Sequence, residues 1–238
     1  MTDQVVPMRG GNCILAGLAR SDRSVLERRL EPVALKFRQR LETANRKIKN
    51  VYFIDSGLAS VVAIGGPERR GAEVCIVGRE GMTGVALLLG VDRSPFEIFV
   101  QVEGTGRCMP ADALRDAMTA SRSLAAWLTR YAHCFFVQAG HTALANAQGK
   151  IEERLARWLL MAHDRVAGDR LSLTHEFLSV VLGVRRAGVT TALNQLEARA
   201  LILATRGCVR ILDREGLEEA ASGLYGVPES EFDRLFAD

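Results

Sequence analysis

Two adjacent arginines, Arg185 and Arg186, stand at the start of a predicted helix in the C-terminal third of the chain. The guanidinium of arginine presents paired N–H donors, which match the two acceptors on the major-groove edge of guanine. Thr190 and Thr191 follow about one helical turn later, where they could reach neighbouring base edges. We therefore expect Arg186, Thr190 and Thr191 to contact bases. The candidates for contacts to phosphate are Arg185, Arg206 and Lys150.

The two arginines belong to the second of two predicted helices joined at a glycine. The first helix is expected from about Thr174 to Leu182, with the Thr174 side chain as its N-cap. Gly183 follows and can adopt the left-handed conformation in which many helices end. This arrangement is typical of a helix-turn-helix, although other helical hairpins give the same pattern. The second helix has apolar residues at intervals of four and three that predict one buried face, at Val189, Leu193 and Leu196.

A predicted hairpin comes directly after the second helix. Two short apolar runs, 201–204 and 208–212, flank the tripeptide Thr205-Arg206-Gly207, which places a glycine at the tip. A helix-turn-helix followed by a hairpin is typical of a winged helix, in which Arg206 and Arg210 could lie against a phosphate backbone. The hairpin therefore favours a DNA-binding module over an ordinary helical hairpin.

Charge and composition agree with this interpretation. Residues 147–212 contain ten Lys and Arg against six Asp and Glu, whereas residues 213–238 contain two against eight. The basic excess thus lies on the candidate DNA-binding module. The chain has 238 residues, of which 48% are hydrophobic, so it is long enough for two domains.

The sequence does not suggest a membrane or a secreted protein. The N-terminus lacks a charged and then apolar signal pattern, and no apolar run approaches the roughly 20 residues of a membrane span. Five cysteines without short-range pairing favour a reducing cytoplasm. We expect a cytoplasmic protein that holds neither a metal nor a cofactor.

Upstream of the DNA-binding module, the pattern changes from short β runs to long helices. Residues 12–31 predict short helices, and after Pro32 the runs are rich in Val, Ile and Phe and are separated by turn residues. Strands of this number and spacing predict a small antiparallel barrel or jelly roll, and hence an α+β fold. The predicted strands are Val33 to Phe37, Asn50 to Ile54, Leu58 to Ile64, Ala72 to Val77, Glu97 to Val102 and Gly106 to Met109.

A long helix is predicted from Ser121 to about Ala147, interrupted only by Gly140. Apolar residues recur along it in steps of four and three, which is the spacing of a helix that packs along another helix. A helix packed on its own barrel gives the same pattern, and we expect this helix to do both. A second helix, 150–163, leads into the helix-turn-helix. The predicted dimer seam consists of Leu124, Leu128, Tyr131 and Phe135.

The order of these parts resembles that of the Crp/Fnr family of bacterial transcription regulators. The resemblance rests on LEPVAL (30–35), VYFIDSGLASVV (51–62), EVCIVGREGMTGVALLLG (73–90), VQVEG (100–104), GKIEERLARWLL (149–160) and the helix-turn-helix. It implies a jelly-roll effector-type domain over 12–120, a dimerisation helix over 121–147, a winged helix-turn-helix over 148–222 and a tail over 223–238. It also implies a homodimer that binds a palindromic operator in double-stranded DNA, with RNA polymerase as a further partner.

The chain departs from the cyclic-AMP-binding members of this family. Those members use a Gly-Glu pair for the ribose hydroxyl and an Arg-Ser pair for the phosphate. Here the second pair survives as Arg93-Ser94, but the first reads Met82-Thr83, and the missing carboxylate would weaken binding by about 1.5 to 3 kcal/mol. Phe135 and Phe136 fall about where those members place hydroxyl residues against the adenine. The resemblance thus implies an effector pocket at Thr83, Arg93, Ser94, Phe135 and Phe136 that no longer binds cyclic AMP, although Arg93 could still meet another anion.

Other functions fit less well. An iron–sulfur cluster needs about four thiolates, and only Cys13 lies near the N-terminus. Haem would need an axial ligand, for which His133 and His141 on the long helix are the candidates. A metal-dependent jelly-roll enzyme would need histidines in its barrel, and all four histidines lie outside it, so we do not expect an enzyme. A sensor gated by another small ligand, and a barrel with a structural role alone, remain open.

Because Ala187 and Thr191 replace residues that many family members use to read bases, we expect an unusual operator.

Overall fold

Two antiparallel sheets packed face to face form the N-terminal part of the protein. The computed structural model describes residues 11–65 and 70–236. Apolar side chains of both sheets, including Leu35, Ile54 and Val61, meet in one buried cluster. The predicted α+β jelly-roll architecture is confirmed. The sheets have the orders β1 (Glu31–Leu35), β7 (Gly104–Pro110), β3 (Asn50–Ile54) and β2 (Arg40–Glu42), β6 (Phe96–Val102), β4 (Leu58–Gly65), β5 (Arg70–Val77).

Each of the six predicted runs overlaps an observed strand, but two details differ. Strand β1 begins at Glu31, before Pro32, whereas Pro32 was expected to precede the first strand. A proline is tolerated there because β1 lies at the edge of its sheet and pairs with one strand only. The missing backbone N–H can then face the side on which no strand is hydrogen-bonded. The three-residue strand β2 was not predicted, because so short a segment carries no readable alternation.

Helices surround the sheets and continue into the C-terminal part of the chain. The short ones of the first half are α1 (Cys13–Ala16), α2 (Arg20–Glu27), α3 (Val85–Leu88) and α4 (Ala111–Ala120). They are followed by α5 (Arg122–Gln148), α6 (Ile151–His163), α7 (His175–Leu182), α8 (Arg186–Ala198), α9 (Arg214–Ala220) and α10 (Val227–Phe236), with β8 (Arg170–Leu171), β9 (Ile202–Thr205) and β10 (Cys208–Ile211) forming a third sheet. Within the described ranges, no helix combines the length and the apolar run needed to cross a membrane.

Helix α5 packs on its own barrel through the stripe that was predicted as the dimer seam. Leu124 and Leu128 are fully buried, and Tyr131 is 4% exposed, in a cluster that also contains Phe53 of β3. The Tyr131 hydroxyl donates to the Met82 carbonyl oxygen at 3.0 Å. These three side chains are already covered within one chain, so the predicted seam is wrong for them. A heptad spacing shows that a helix has an apolar face, but not which surface covers that face.

Strand β5 joins the barrel to the helices that lead into the C-terminal domain. The Gln138 side-chain oxygen on α5 accepts a hydrogen bond from the Ile76 backbone N–H at 2.7 Å. The Trp158 indole N–H on α6 donates to the buried Glu73 carboxylate at 2.5 Å. Leu58 and Ile76 of the barrel also belong to the apolar cluster of the C-terminal domain. The two parts therefore share one continuous buried joint.

The C-terminal segment, which was predicted only as a tail, ends in helix α10 and packs along α5. The Phe236 ring meets Trp127 edge-on at 4.8 Å between ring centroids, and Phe232 stacks on Phe236 at 4.5 Å. On the neighbouring turn, Glu231 accepts from His133 at 2.8 Å. This segment is therefore part of the folded structure of the chain.

The buried Glu73 makes the joint sensitive to pH. Burial raises the pKa of the Glu73 carboxyl to about 7, although Trp158 and nearby arginines lower it. The folded protein thus holds this proton more tightly than the unfolded chain does, so stability falls as pH rises from about 4.5 to about 7 and is constant above. We expect the loss to be about 3.5 kcal/mol at most, because one pKa unit corresponds to about 1.4 kcal/mol.

We predict that Glu73→Gln removes this part of the pH dependence, because glutamine can still accept from Trp158 but carries no titrating proton. Urea unfolding of wild type and variant at about pH 5 and about pH 8 measures the difference. Glu103→Gln, at an exposed glutamate, serves as the control and should unfold like wild type at both values. The interpretation fails if Glu73→Gln loses as much stability between the two pH values as wild type does.

Candidate nucleic-acid interface

Helices α7 and α8 form the predicted helix-turn-helix, with the predicted cap and corner. The Thr174 side chain accepts from the Phe177 backbone N–H at 3.1 Å, which satisfies one of the free donors of the first turn. Helix α7 ends at Gly183, whose φ of 61° lies in the left-handed region. Val184 N–H then bonds back to the Ser179 carbonyl oxygen at 3.0 Å and closes the corner.

Helix α8 buries one face and exposes the face that carries the predicted contacts. Val189, Leu193 and Leu196 are buried against α6 and α7, as their spacing predicted. Arg185 is the N-cap residue and Arg186 the first helical residue, so both lie at the positive end of the helix dipole. The structure brings four predicted contact residues to one exposed surface, and these are Arg185, Arg186, Thr190 and Thr191.

Two residues of α7 that the sequence reasoning missed lie against this surface. Glu176 forms an ion pair with Arg186 at 3.2 Å between Nη2 and Oε2, and His175 Nδ1 lies 3.2 Å from the Thr190 hydroxyl. Both partners of the ion pair are mostly exposed, so the pair is a weak tether that a guanine could replace. Their position could have been found from the sequence, because both residues directly follow the Thr174 cap, and the first turn of α7 lies beside α8.

The two threonine hydroxyls are also engaged within the helix. Thr190 donates to the Arg186 carbonyl oxygen at 3.2 Å, and Thr191 donates to the Ala187 carbonyl oxygen at 3.1 Å. Since each hydroxyl has only one proton to donate, these side chains offer mainly an acceptor oxygen and a methyl group to DNA. A methyl group suits contact with thymine.

The predicted hairpin forms the wing, which consists of residues 202–211. Strand β10 pairs with β9 and with the unpredicted β8, which makes the wing part of a three-stranded sheet. Arg206 is exposed at the tip, beside Gly207 with its φ of 77°. The Glu197 carboxylate of α8 accepts a hydrogen bond from the Ala204 N–H at 2.7 Å and so fixes the wing to α8.

Lys150 lies near the same surface, at the start of α6. Its backbone N–H donates to the Glu153 carboxylate at 2.9 Å, in a capping arrangement. The next residue, Ile151, packs so close to α8 that a Cβ on Gly188 would lie 3.3 Å from its Cδ1 atom. Lys150 is exposed and therefore adds a positive charge beside the N-terminal half of the recognition helix.

Comparison with known families agrees with this geometry. Residues 153–220 match the family model described as the Crp-like helix-turn-helix domain. The chain carries a Crp-like helix-turn-helix domain. That family is one of DNA-binding domains of transcription regulators and not of enzymes. The search of curated proteins found no match.

The fold of the whole chain is that of solved Crp/Fnr proteins, so the predicted resemblance is confirmed. A protein from Eubacterium rectale assigned to the Crp/Fnr transcriptional regulators is 17% identical, with a TM-score of 0.69 over 88% of this chain and 98% of that one. FixK2 from Bradyrhizobium japonicum is 16% identical, with a TM-score of 0.68 over 80% and 96%. The c-di-GMP-responsive global regulator CLP from Xanthomonas campestris is 16% identical, with a TM-score of 0.63 over 81% and 99%.

The residues expected to form a Crp/Fnr effector pocket differ in their surroundings and exposure. Arg93 lies on the surface, where its Nε donates to Asp92 at 3.2 Å, and the Ser94 hydroxyl accepts from the Phe96 N–H in the same loop. Phe135 packs on the barrel, whereas the Phe136 side chain is 74% exposed. Adjacent residues of a helix point about 100° apart, so both rings could not enter one pocket. The expected pocket is therefore wrong for Phe136, whereas the role of Arg93 stays a prediction.

Thr83 is fully buried, and a carboxylate that the sequence reasoning missed lies beside it. The Thr83 hydroxyl accepts from the Tyr52 N–H at 3.1 Å. The buried Glu42 carboxylate of β2 accepts from the Gly84 N–H at 2.6 Å, directly before α3. Burial raises the pKa of Glu42, and the hydrogen bonds from Gly84 and Thr83 oppose that rise. Glu42 was missed because β2 itself was not predicted.

We predict that Arg186→Ala weakens binding to a selected operator by about ten- to a hundredfold per half-site, because a bidentate guanine contact discriminates by about 1 to 3 kcal/mol. Arg206→Ala, at the tip of the wing, should weaken all sequences alike and lower the salt dependence by about one unit of slope. Fluorescence anisotropy with operator and random duplexes at several salt concentrations measures both effects.

The comparison of the two variants contains its own control. If Arg186→Ala lowers the affinity for operator and random DNA by the same factor, Arg186 contacts only the backbone. Base reading would then have to be reassigned to Thr190, Thr191 or the wing.

Proposed function

We propose that this protein is a dimeric, sequence-specific transcription regulator of the Crp/Fnr type that does not respond to cyclic AMP. The observation that carries the proposal is the exposed arginine pair at the first turn of α8, in a domain that matches the Crp-like helix-turn-helix family. A regulator of this type acts on DNA in the cytoplasm and, as an activator, would contact RNA polymerase.

A different face of α5 supports the dimer. Exposed residues recur along it in steps of three and four, which is the spacing of a two-helix seam. Phe136 is the most exposed large apolar side chain of the helix, and the small residues that follow allow a partner helix to approach closely. We call this face the outer stripe, and it consists of Ala126, Thr129, His133, Phe136, Gly140, Ala143 and Ala147, with His133 at its edge beside Glu231 of α10.

A second copy of this chain is the occupant that fits the outer stripe. A Cβ on Gly140 would meet nothing within 4 Å, so the backbone there is open to a neighbour. A two-fold axis along α5 makes the contact self-complementary, as closed homodimers require. The same axis relates two recognition helices, which can then enter major grooves about one turn apart and read a palindrome.

The loss of cyclic AMP binding rests on Thr83 and Glu42. Thr83 is a neutral residue, and its hydroxyl is already used by the Tyr52 N–H. The Glu42 carboxylate already accepts a hydrogen bond from the Gly84 N–H before α3. The phosphate of a cyclic nucleotide at the same N–H would have to displace or neutralise this carboxylate. Phe136, which was expected to crowd the adenine site, faces outward and does not fill a pocket in its own chain.

We predict that replacing Phe136 with glutamate gives monomers at micromolar concentration. Two like charges would face each other across the axis, and unpaired buried charges cost several kcal/mol, which weakens the dimer by more than about a hundredfold. Sedimentation velocity measures the result. Leu89→Glu changes another exposed apolar residue, which lies outside the outer stripe, and this variant should remain a dimer. An intact Phe136→Glu dimer would show that the two copies meet elsewhere.

Selection of bound sequences from random DNA tests the function directly. We expect one enriched palindrome whose half-sites are about one helical turn apart, and the same palindrome with or without millimolar cyclic AMP. Titration calorimetry should detect no micromolar binding of the nucleotide. A large gain in operator affinity on adding cyclic AMP contradicts the ligand part of the proposal, and the absence of any enriched motif contradicts the regulator itself.

A further inference from the structure

A cavity of about 230 Å³ lies where the barrel, α5, α6 and the C-terminal helix meet. We call it the junction cavity. Tyr131 and Phe135 of α5 form one side and Phe232 of α10 the other, while Glu80 of the barrel and Glu229 of α10 also line it. At about 30 Å³ per water, its volume holds about eight water-sized groups, so a ligand of about that many heavy atoms would fit. None of the residues predicted to contact DNA belongs to it.

Two carboxylate oxygens at the junction cavity are buried without a hydrogen-bond partner. Glu80 uses Oε1 for Arg165 and for the Gly78 N–H, which leaves Oε2 unpaired. Glu229 uses Oε2 for the Gly226 N–H, which leaves Oε1 unpaired. A buried acceptor without a partner is costly, and a carboxylate oxygen is more costly than a neutral one. Both side chains line the junction cavity, and rotation of either carboxylate would turn its free oxygen toward a ligand that carries N–H donors.

Two of the three arginines that line the junction cavity, Arg165 and Arg214, are already committed to other partners. Arg165 donates to Glu80 at 2.8 Å and to the Met161 carbonyl oxygen at 2.7 Å. Arg214 pairs with Asp164 at 2.8 Å and donates to the Tyr225 hydroxyl at 2.7 Å. These guanidinium groups therefore have little left to offer an anion.

The remaining charge at the cavity is negative. The lining residues carry three positive and four negative charges if all are ionised, which leaves one negative charge in excess. The positive residues are Arg79, Arg165 and Arg214, and the negative residues are Glu80, Asp164, Glu229 and Asp233. Burial, together with the charge of Asp164, raises the pKa of the Asp233 carboxyl. The wall also contains the aromatic rings of Tyr131, Phe135 and Phe232, and the faces of such rings attract cations.

The geometry points to the junction cavity as a binding site for a small organic ammonium with an aromatic or other apolar body. The ammonium would donate to the free oxygens of Glu80 and Glu229, and the apolar body would lie against Tyr131, Phe135 and Phe232. Because α10 supplies both a carboxylate and a ring, the C-terminal helix would form one wall of the site. This proposal does not depend on DNA binding.

Three molecules of nearly equal shape test the charge requirement on the full-length protein: 2-phenylethylamine, 2-phenylethanol and phenylacetate. By titration calorimetry we expect the amine to bind with a dissociation constant below about 1 mM, and the alcohol and the carboxylate at least about tenfold more weakly. Equal or tighter binding of phenylacetate would overturn the proposal, as would the absence of amine binding at about 10 mM.

A matched pair of variants locates the site. Glu229→Gln should weaken amine binding at least about tenfold, because it removes the charge that faces the cavity. Glu231→Gln changes a glutamate on the same helix that pairs with His133 and Arg234 outside the cavity, and it should leave the affinity unchanged. Amine binding that Glu229→Gln does not alter would place the ligand elsewhere and contradict the assignment. The comparison of the three probes on wild type stands even if a variant fails to fold.

Discussion

Helix α5 organises the structure, because one face packs on the barrel, a second contacts α10 and a third, the outer stripe, is exposed. Its inner face is fully covered by the barrel of the same chain, where Leu124 and Leu128 are buried. The outer stripe is therefore the face left for a second copy, and Phe136 stands in its middle. A helix that packs on its own domain and on a partner at once couples the position of the barrel to the axis of the proposed dimer. The winged helix, which follows α5 through α6, is positioned by the same element.

The joint between β5 and the two helices makes this coupling rigid. Gln138 and Trp158 are hydrogen-bonded to β5, and a continuous apolar cluster surrounds them. Helix α10 adds a second connection, because it runs back from the winged helix to Trp127 on α5. The junction cavity lies between these connections, so a ligand there would touch the barrel, α5 and α10 at once. Polar groups buried in such a joint specify one arrangement only when they are paired.

The sequence predicted what local patterns can determine and failed where distant segments decide. The Thr174 cap, the Gly183 corner and the buried face of α8 follow from spacing within one turn or two, and all were predicted. The partner of the α5 stripe was not, because a heptad looks the same against a barrel and against a second helix. Glu42 beside Gly84 and Glu176 beside Arg186 were missed because tertiary packing brings them together. The role of Arg93 came from the family pattern and stays a prediction, since its contact with the adjacent Asp92 is exposed.

In the proposed dimer, paired α5 helices hold the two copies of α8 about one turn of DNA apart. Hydroxyl-radical footprinting on the selected operator tests this arrangement most directly, since it maps the protected sugars on both strands. We expect two protected stretches with centres about 10 base pairs apart, related by a two-fold axis at the middle of the palindrome. A single protected stretch, or two stretches without that symmetry, would contradict the account.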